Sequence, residues 1–236
     1  MHNFLEQYGK AIFVLVLIAI LIAFANPLGT KIKTATTEKV NQTTEIADDE
    51  TYVARTGRPK PPKTAVDQVY CIYYSDGELV ISQNQIEPES GRTVKTQGFY
   101  NYPSDCTNQM TTVQFEGAVM PKSCELWFGN CFKLTEIKNI KNLYTNESTS
   151  MYDMFLYCKS LKSIDLKNFD TSKVTTMKNM FYGCYNLKYL DLSSFDISKS
   201  QNCDYMMDTG TSTTIKANPD LKAKFNTQNN TKITWE

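Results

Sequence analysis

This 236-residue chain has no excess of either charge and only one histidine. Its 25 Lys and Arg balance 25 Asp and Glu, so the formal net charge is zero and nothing indicates a nucleic-acid partner. The one histidine, His2, leaves no basis for most catalytic triads or histidine-containing metal sites. Seven cysteines occur without a C-x-x-C pair, which disfavours a zinc ribbon or a thioredoxin-like redox site. The composition therefore predicts a protein without catalytic activity, metal or cofactor.

A long uncharged segment stands near the N-terminus. Residues 11–30, AIFVLVLIAILIAFANPLGT, would span roughly 30 Å as a helix, the thickness of a bilayer core. Two interpretations fit this segment. We favour an uncleaved transmembrane anchor; the other is a secretory signal peptide cut after Ala25, which would release the protein.

The lysines around this segment bear on its orientation. Lys10 precedes it, whereas Lys31, Lys33 and Lys39 follow, so a positive-inside count alone would leave the C-terminal part in the cytosol. Because that rule weakens when a long domain follows, we predict a single-pass membrane protein with an extracellular C-terminal domain. The lysine count and the long C-terminal domain thus favour opposite orientations of the segment.

The same segment resembles another kind of anchor. Residues 6–23, EQYGKAIFVLVLIAILIA, are similar to the helix of Flp-type pilins, in which a Glu-Tyr pair begins an apolar helix; here Gln7 separates Glu6 from Tyr8. The resemblance implies an alternative function, a pilus-associated or minor pilin-like structural subunit.

Composition and turn signals divide the rest of the chain. A polar stretch with GRPKPP predicts a stalk, and VYCIYYSDGELVIS predicts a β-hairpin with a type I′ turn at Asp76-Gly77, followed by strands near 93–99 and 112–115. The predicted organisation is an anchor or signal segment (1–30), a stalk (31–66), a β-rich capping module (67–126), repeats (127–207) and a C-terminal cap (208–236).

One segment is written twice at a fixed interval. Residues 152–172, YDMFLYCKSLKSIDLKNFDTS, align with residues 178–198, KNMFYGCYNLKYLDLSSFDIS, at an offset of 26. A degenerate earlier copy begins at WFGNCFKLTEI, where Cys131 precedes its counterpart Cys158 by 27 residues. A period of this length is typical of architectures in which each copy completes its core against its neighbours.

Each copy contains two apolar rhythms. Ile164-Asp165-Leu166 alternates as a strand does, whereas Val174, Met177 and Phe181 follow a helical or 3₁₀ spacing. The pattern predicts an α/β solenoid of short parallel strands with short helical backs. Together with the β-rich cap and the N-terminal transmembrane helix, this is the expected fold.

These residues resemble a known family. MFYGCYNLKYLDLSSFDIS, preceded by DTSKVTTMKNMF, is similar to the BspA-like leucine-rich repeat of bacterial surface proteins, also called DUF285. The resemblance implies a membrane-anchored bacterial surface protein whose repeats serve adhesion or protein–protein interaction. Its partner would be an extracellular protein or glycan.

The outward positions of the predicted strands are the candidate contact residues. We expect them to form a partner-binding face or, alternatively, an ordinary solvated sheet face: Glu136, Lys138, Ser163, Asp165, Lys167, Tyr189, Asp191 and Ser193. A remote third alternative is a cell-wall enzyme, in which carboxylate pairs such as Asp165 and Asp170 would have to act as the catalytic groups.

Overall fold

The computed structural model describes residues 52–209, 213–226 and 233–236. The chain divides into two compact units, Met1–Gly57 and Arg58–Glu236. Of the first unit, residues 52–56 form a helical turn, in which the N–H of Gly57 donates to the carbonyl of Val53 at 2.7 Å. The second unit contains all the strands given below.

A five-stranded mixed sheet forms the N-terminal part of the second unit. Its spatial order is β3-β1-β2-β4-β5. The strands are β1 (Val69–Tyr74), β2 (Glu78–Ser82), β3 (Val94–Tyr100), β4 (Thr112–Glu116) and β5 (Glu136–Lys138). Strand β1 pairs antiparallel with β2 and β3, whereas β2–β4 and β4–β5 are parallel. A four-residue helix, α1 (Pro103–Cys106), precedes β4. The predicted strands near 93–99 and 112–115 are confirmed as β3 and β4.

The predicted hairpin is confirmed, but its turn type is wrong. Tyr73 pairs with Leu79, which leaves a loop around Asp76 and Gly77. Only Gly77 of the two has a positive φ, 93°, whereas a type I′ turn needs two such residues. The N–H of Gly77 donates to the carbonyl of Tyr74 at 3.1 Å, so the chain turns over a longer loop that ends on the glycine.

A three-stranded parallel sheet forms the C-terminal part. Its strands are β6 (Tyr189–Leu192), β7 (Thr213–Ala217) and β8 (Ile233–Trp235), in that spatial order. Helix α2 (Pro219–Asn226) joins β7 to the segment before β8. Phe225 is buried, and Ile233 and Trp235 pack against the core from its C-terminal end.

Between the two sheets the chain runs through successive turns. A 3₁₀ turn, Ile140–Asn142, follows β5 in this part of the chain. Backbone hydrogen bonds join residues 151–157 of one copy to residues 176–182 of the next. Four N–H groups of one copy donate at 2.8–3.0 Å to four carbonyls of the next: Met151 to Thr176, Asp153 to Lys178, Phe155 to Met180 and Tyr157 to Tyr182.

The same bonds recur one copy further along, with donors and acceptors again alternating along the chain: Met177 to Asn202, Asn179 to Asp204, Phe181 to Met206 and Gly183 to Asp208. Parallel bridges link Ser150 to Thr176 and Thr176 to Asn202. Backbone groups bonded in this way are not available for an i→i−4 helical ladder.

The predicted leucine-rich-repeat solenoid is therefore wrong. The described residues form a mostly-sheet domain with one mixed sheet, one small parallel sheet and few helices. The apolar stripe that begins at Val174 forms turns, because Asn179 and Gly183 have φ values of 55° and 74°, which end a right-handed helix. The strand predicted at Ile164–Leu166 is absent too, whereas the equivalent residues 190–192 belong to β6, which pairs with β7.

The predicted single-pass membrane location is also corrected. In the part of the chain that the structure describes, no helix combines the length and the apolar character needed to cross a bilayer. The segment on which the prediction rested, residues 11–30, lies outside the described residues, as does most of the predicted stalk.

Candidate functional site

The predicted contact residues fall into three groups along the chain. Glu136 and Lys138 lie on β5 of the first sheet, and Tyr189 and Asp191 lie on β6 of the second. Ser163, Asp165 and Lys167 occupy an irregular segment of the first of the two aligned copies, where all three are exposed. We call these residues, with Ser193, the strand face.

On β6, alternation along the strand explains why Tyr189 and Asp191 point away from the core. On β6, Leu190 and Leu192 are fully buried, whereas Tyr189 is 42 % exposed. Strand β7 continues the pattern, since Asp191 pairs in register with Lys216 and Leu190 with Ile215. Successive residues of a strand point to opposite sides of a sheet, so one side faces the core and the other faces solvent.

Ion pairs neutralise the carboxylates of this face. Asp165 lies 2.8 Å from the ammonium of Lys167, and Asp191 lies 3.3 Å from that of Lys216. The side-chain hydrogen bond from Lys167 lowers the pKa of Asp165, against a smaller upward effect of the negative charge on Asp191. Hydrogen bonds from the hydroxyl and N–H of Ser193 lower the pKa of Asp191. Each carboxylate is thus held charged by its own partners.

Lys138 belongs to a second charge network. Its ammonium lies 2.9 Å from Glu78, whose other oxygen accepts a 2.7 Å bond from Arg92. Burial raises the pKa of Glu78, but the hydrogen bonds from Lys138 and Arg92 outweigh it and lower the pKa overall. The guanidinium of Arg92 also pairs with Asp76 and lies 3.6 Å from the ring centre of Tyr74. This network attaches the loop before β3 to the outer side of the hairpin.

A cluster of aromatic rings around one lysine was missed by the sequence reasoning. Phe132 and Tyr185 are each 42 % exposed, and the ammonium of Lys159 lies 4.8 Å and 5.8 Å from their ring centres. The ring of Tyr157 is 5.5 Å from the same ammonium. We call Phe132, Tyr157, Lys159 and Tyr185 the aromatic–lysine surface. A signal was present in the sequence: Phe132, Lys159 and Tyr185 each follow the aligned cysteine of their copy.

The thiols are not arranged for chemistry. All seven cysteines are free and buried. Burial raises the pKa of Cys106 to about 11, and those of Cys124, Cys131 and Cys184 to about 12. Nucleophilic and metal-binding cysteines need the thiolate, which burial disfavours here. Over the described residues, no group of three His, Cys, Asp or Glu side chains could hold a metal ion.

Comparison with known proteins found one family model that matches part of the chain. No curated protein and no solved structure matched the chain. The family match begins just before Cys124 and ends within β8, so it includes the strand face from Glu136 onward and the aromatic–lysine surface. Residues 122–234 match the family model described as Mycoplasma protein of unknown function, DUF285, which confirms the DUF285 part of the resemblance for that segment.

Proposed function

We propose that this chain is a non-catalytic binding protein that uses its strand face for adhesion or protein–protein interaction. One observation carries the proposal: consecutive copies lie side by side at this face, since the N–H of Lys188 donates to the carbonyl of Lys162, its equivalent 26 residues earlier, at 3.3 Å. Equivalent outward positions repeated side by side form a continuous surface, and such a surface suits a macromolecular partner.

Tyr189 is the residue expected to contribute most to the affinity. It is a large aromatic side chain, 42 % exposed, at the beginning of β6 and one position away from buried Leu190. Tyrosine is enriched among the residues that dominate protein–protein binding energy, whereas exposed ion pairs contribute little. The carboxylates, which are ionised and paired with lysines, would therefore determine specificity around the aromatic side chain of Tyr189.

The buried thiols support the absence of catalysis. Chemistry would need a nucleophile or an acid–base pair at an accessible site, and the candidate carboxylates Asp165 and Asp191 are held ionised by exposed ion pairs. Neither has the raised pKa that a general acid requires. Binding remains the use of this face that the geometry supports best.

The proposal is tested with the purified full chain on an array of extracellular matrix and serum proteins. A protein that binds the wild-type chain is then measured against Tyr189→Ala and Asp191→Asn, with Lys199→Gln as a control at an exposed lysine outside the strand face. We expect Tyr189→Ala to weaken binding by about 30-fold, since a dominant interface residue contributes about 2 kcal/mol. Equal binding by all variants would reject the strand face as the contact surface.

A further inference from the structure

Three of the four residues of the aromatic–lysine surface occupy one structural position that is repeated in three copies. In each copy the residue after the core cysteine donates its N–H to the carbonyl two residues earlier: Phe132 to Asn130 at 2.9 Å, Lys159 to Tyr157 at 2.7 Å and Tyr185 to Gly183 at 2.9 Å. The three side chains therefore leave the backbone from equivalent tight turns. They stand in adjacent copies, which makes them a row and not a chance cluster.

Side chains of the following copy hold this row in place. The hydroxyl of Ser160 donates to the carbonyl of Phe132 at 2.7 Å, and the amide of Asn186 donates to the carbonyl of Lys159 at 2.6 Å. Ser160 and Asn186 are themselves equivalent residues, 26 positions apart. The turns at Phe132 and Lys159 are thus fixed by the following copy, which lowers the entropy that a ligand would otherwise have to remove on binding.

Tyr157 occupies a backbone conformation that tyrosine disfavours. Its φ is 54°, and the equivalent residues are Asn130 and Gly183, two types that tolerate this region. The ring of Tyr157 lies directly over Gly183, where an added Cβ would be 2.2 Å from a ring carbon. The turn requires a positive φ at this position in all three copies, so the backbone fixes where the ring of Tyr157 stands.

The charge of Lys159 determines which ligand fits. The side chain is exposed, and throughout the described segments no carboxylate forms an ion pair with it. Three rings surround the ammonium, which leaves a positive charge at the centre of an aromatic surface. An anionic ligand is complementary to that charge, and a cationic one is not.

We propose that the aromatic–lysine surface binds a carboxylated carbohydrate. The C–H faces of sugar rings stack on exposed aromatic rings, and Lys159 would pair with the carboxylate of the sugar. Stacked copies follow one another at about 4.8 Å, as neighbouring strands do, so Phe132 and Tyr185, two copies apart, are separated by about 10 Å. They can engage the sugar units on either side of the one that pairs with Lys159. A protein partner is less well matched, because lysine is depleted at the centre of protein interfaces. This site lies outside the strand face, and its failure would leave the function proposed above standing.

The test is a titration of the full chain with three carboxylated oligosaccharides: tri-galacturonate, a hyaluronan fragment and sialyllactose. We expect at least one to bind with a Kd below about 1 mM. We expect its uncharged counterpart, the methyl ester or the sugar without the acidic unit, to bind about fivefold more weakly, the loss of one exposed charge interaction. Phe132→Ala and Tyr185→Ala should each weaken binding about fivefold.

Lysine variants separate the charge from the rings. Lys159→Gln should remove the preference for the charged sugar while its uncharged counterpart still binds, and Lys199→Gln, the matched control, should change neither. Binding of none of the three sugars would overturn the proposal, as would full binding by the Phe132→Ala/Tyr185→Ala double variant. Competition by poly-glutamate as strong as by the sugar would also overturn it, because the surface would then recognise acidic peptides.

Discussion

The rings of Phe155 and Phe181 stack almost parallel, with centroids 5.5 Å apart and an angle of 3° between their planes. The two residues are 26 positions apart and both are fully buried. Phe128 extends the stack on the other side, 5.3 Å from Phe155. Each ring therefore completes the core of the copies before and after it, which is why a single copy would have no interior.

Truncating the central ring should destabilise the whole unit. Phe155→Ala removes contacts with two copies at once, and we expect it to lower the free energy of unfolding by about 3–5 kcal/mol, measured by urea denaturation. Phe132→Ala, at a ring that is 42 % exposed, should cost less than about 1 kcal/mol. Similar losses in the two variants would show that the rings do not form a shared core.

Alanine substitutions at Gly183 and Gly117 distinguish backbone strain from a steric clash. Its φ is 74°, and a Cβ there would meet the ring of Tyr157, whereas Gly117, with φ of 68°, has open space around it. Gly117→Ala should cost about 1 kcal/mol from strain alone, and Gly183→Ala about 2 kcal/mol more because of overpacking. Adding Tyr157→Asn to Gly183→Ala should recover that difference. No recovery would mean that the ring does not lie over the glycine.

Buried hydroxyls join the copies a second time. Thr171 Oγ1 donates to the carbonyl of Asp196 at 2.9 Å and accepts its N–H at 2.7 Å, and Thr145 makes the same two bonds to Asp170. Thr171→Val leaves both backbone groups without a partner, so we expect a loss of about 1–3 kcal/mol in thermal or urea unfolding. Thr171→Ser keeps the hydroxyl and should lose less. A smaller loss in the valine variant than in the serine variant would contradict this role.

The buried thiols predict a loss of stability at high pH. Thiols of the unfolded chain ionise with a pKa near 8.5, approximately the ordinary value, whereas burial raises the pKa of Cys131 and Cys184 to about 12. Between these values the folded protein keeps protons that the unfolded chain has lost, so the free energy of unfolding falls as pH rises. Each thiol contributes about 1.4 kcal/mol per pH unit once pH is well above 8.5.

Urea denaturation at pH 7.5 and 9.5 measures this slope. Cys131→Ala should make it shallower by the share of one thiol, whatever its effect on stability at pH 7.5. A slope unchanged by the substitution would mean that this thiol is not protected from ionisation by folding.

Sequence patterns predicted the parts of the fold that depend on local chemistry. The turn signal at Asp76-Gly77 with its flanking apolar residues identified β1 and β2, and β3 and β4 were also predicted. The 26-residue offset identified residues that share a core, such as Phe155 and Phe181. Spacing alone could not predict what the backbone of each copy does. Val174, Met177 and Phe181 have the spacing of a helix, but their backbone alternates between bonds inside a copy and bonds to the next one. Tertiary pairing of this kind overrides the local rhythm.

The candidate site was also predictable only in part. Outward positions such as Tyr189 followed from buried Leu190 and Leu192. Their ion pairs did not, because Lys216 reaches Asp191 only through the parallel pairing of β6 and β7. The aromatic–lysine surface was overlooked because Phe132, Lys159 and Tyr185 differ in type, and a search for similarity passes over a position whose residues vary. Their common feature is the tight turn that places them.

Proton NMR tests the layered arrangement most directly. With the full chain selectively labelled at phenylalanine, tyrosine and glycine, nuclear Overhauser effects should connect the ring protons of Phe155 with those of Phe181. They should also connect the ring of Tyr157 with the α-protons of Gly183, whose resonances should be shifted by the ring above them. Absence of both contacts in the folded protein would contradict the stacking of copies from which the strand face and the aromatic–lysine surface are built.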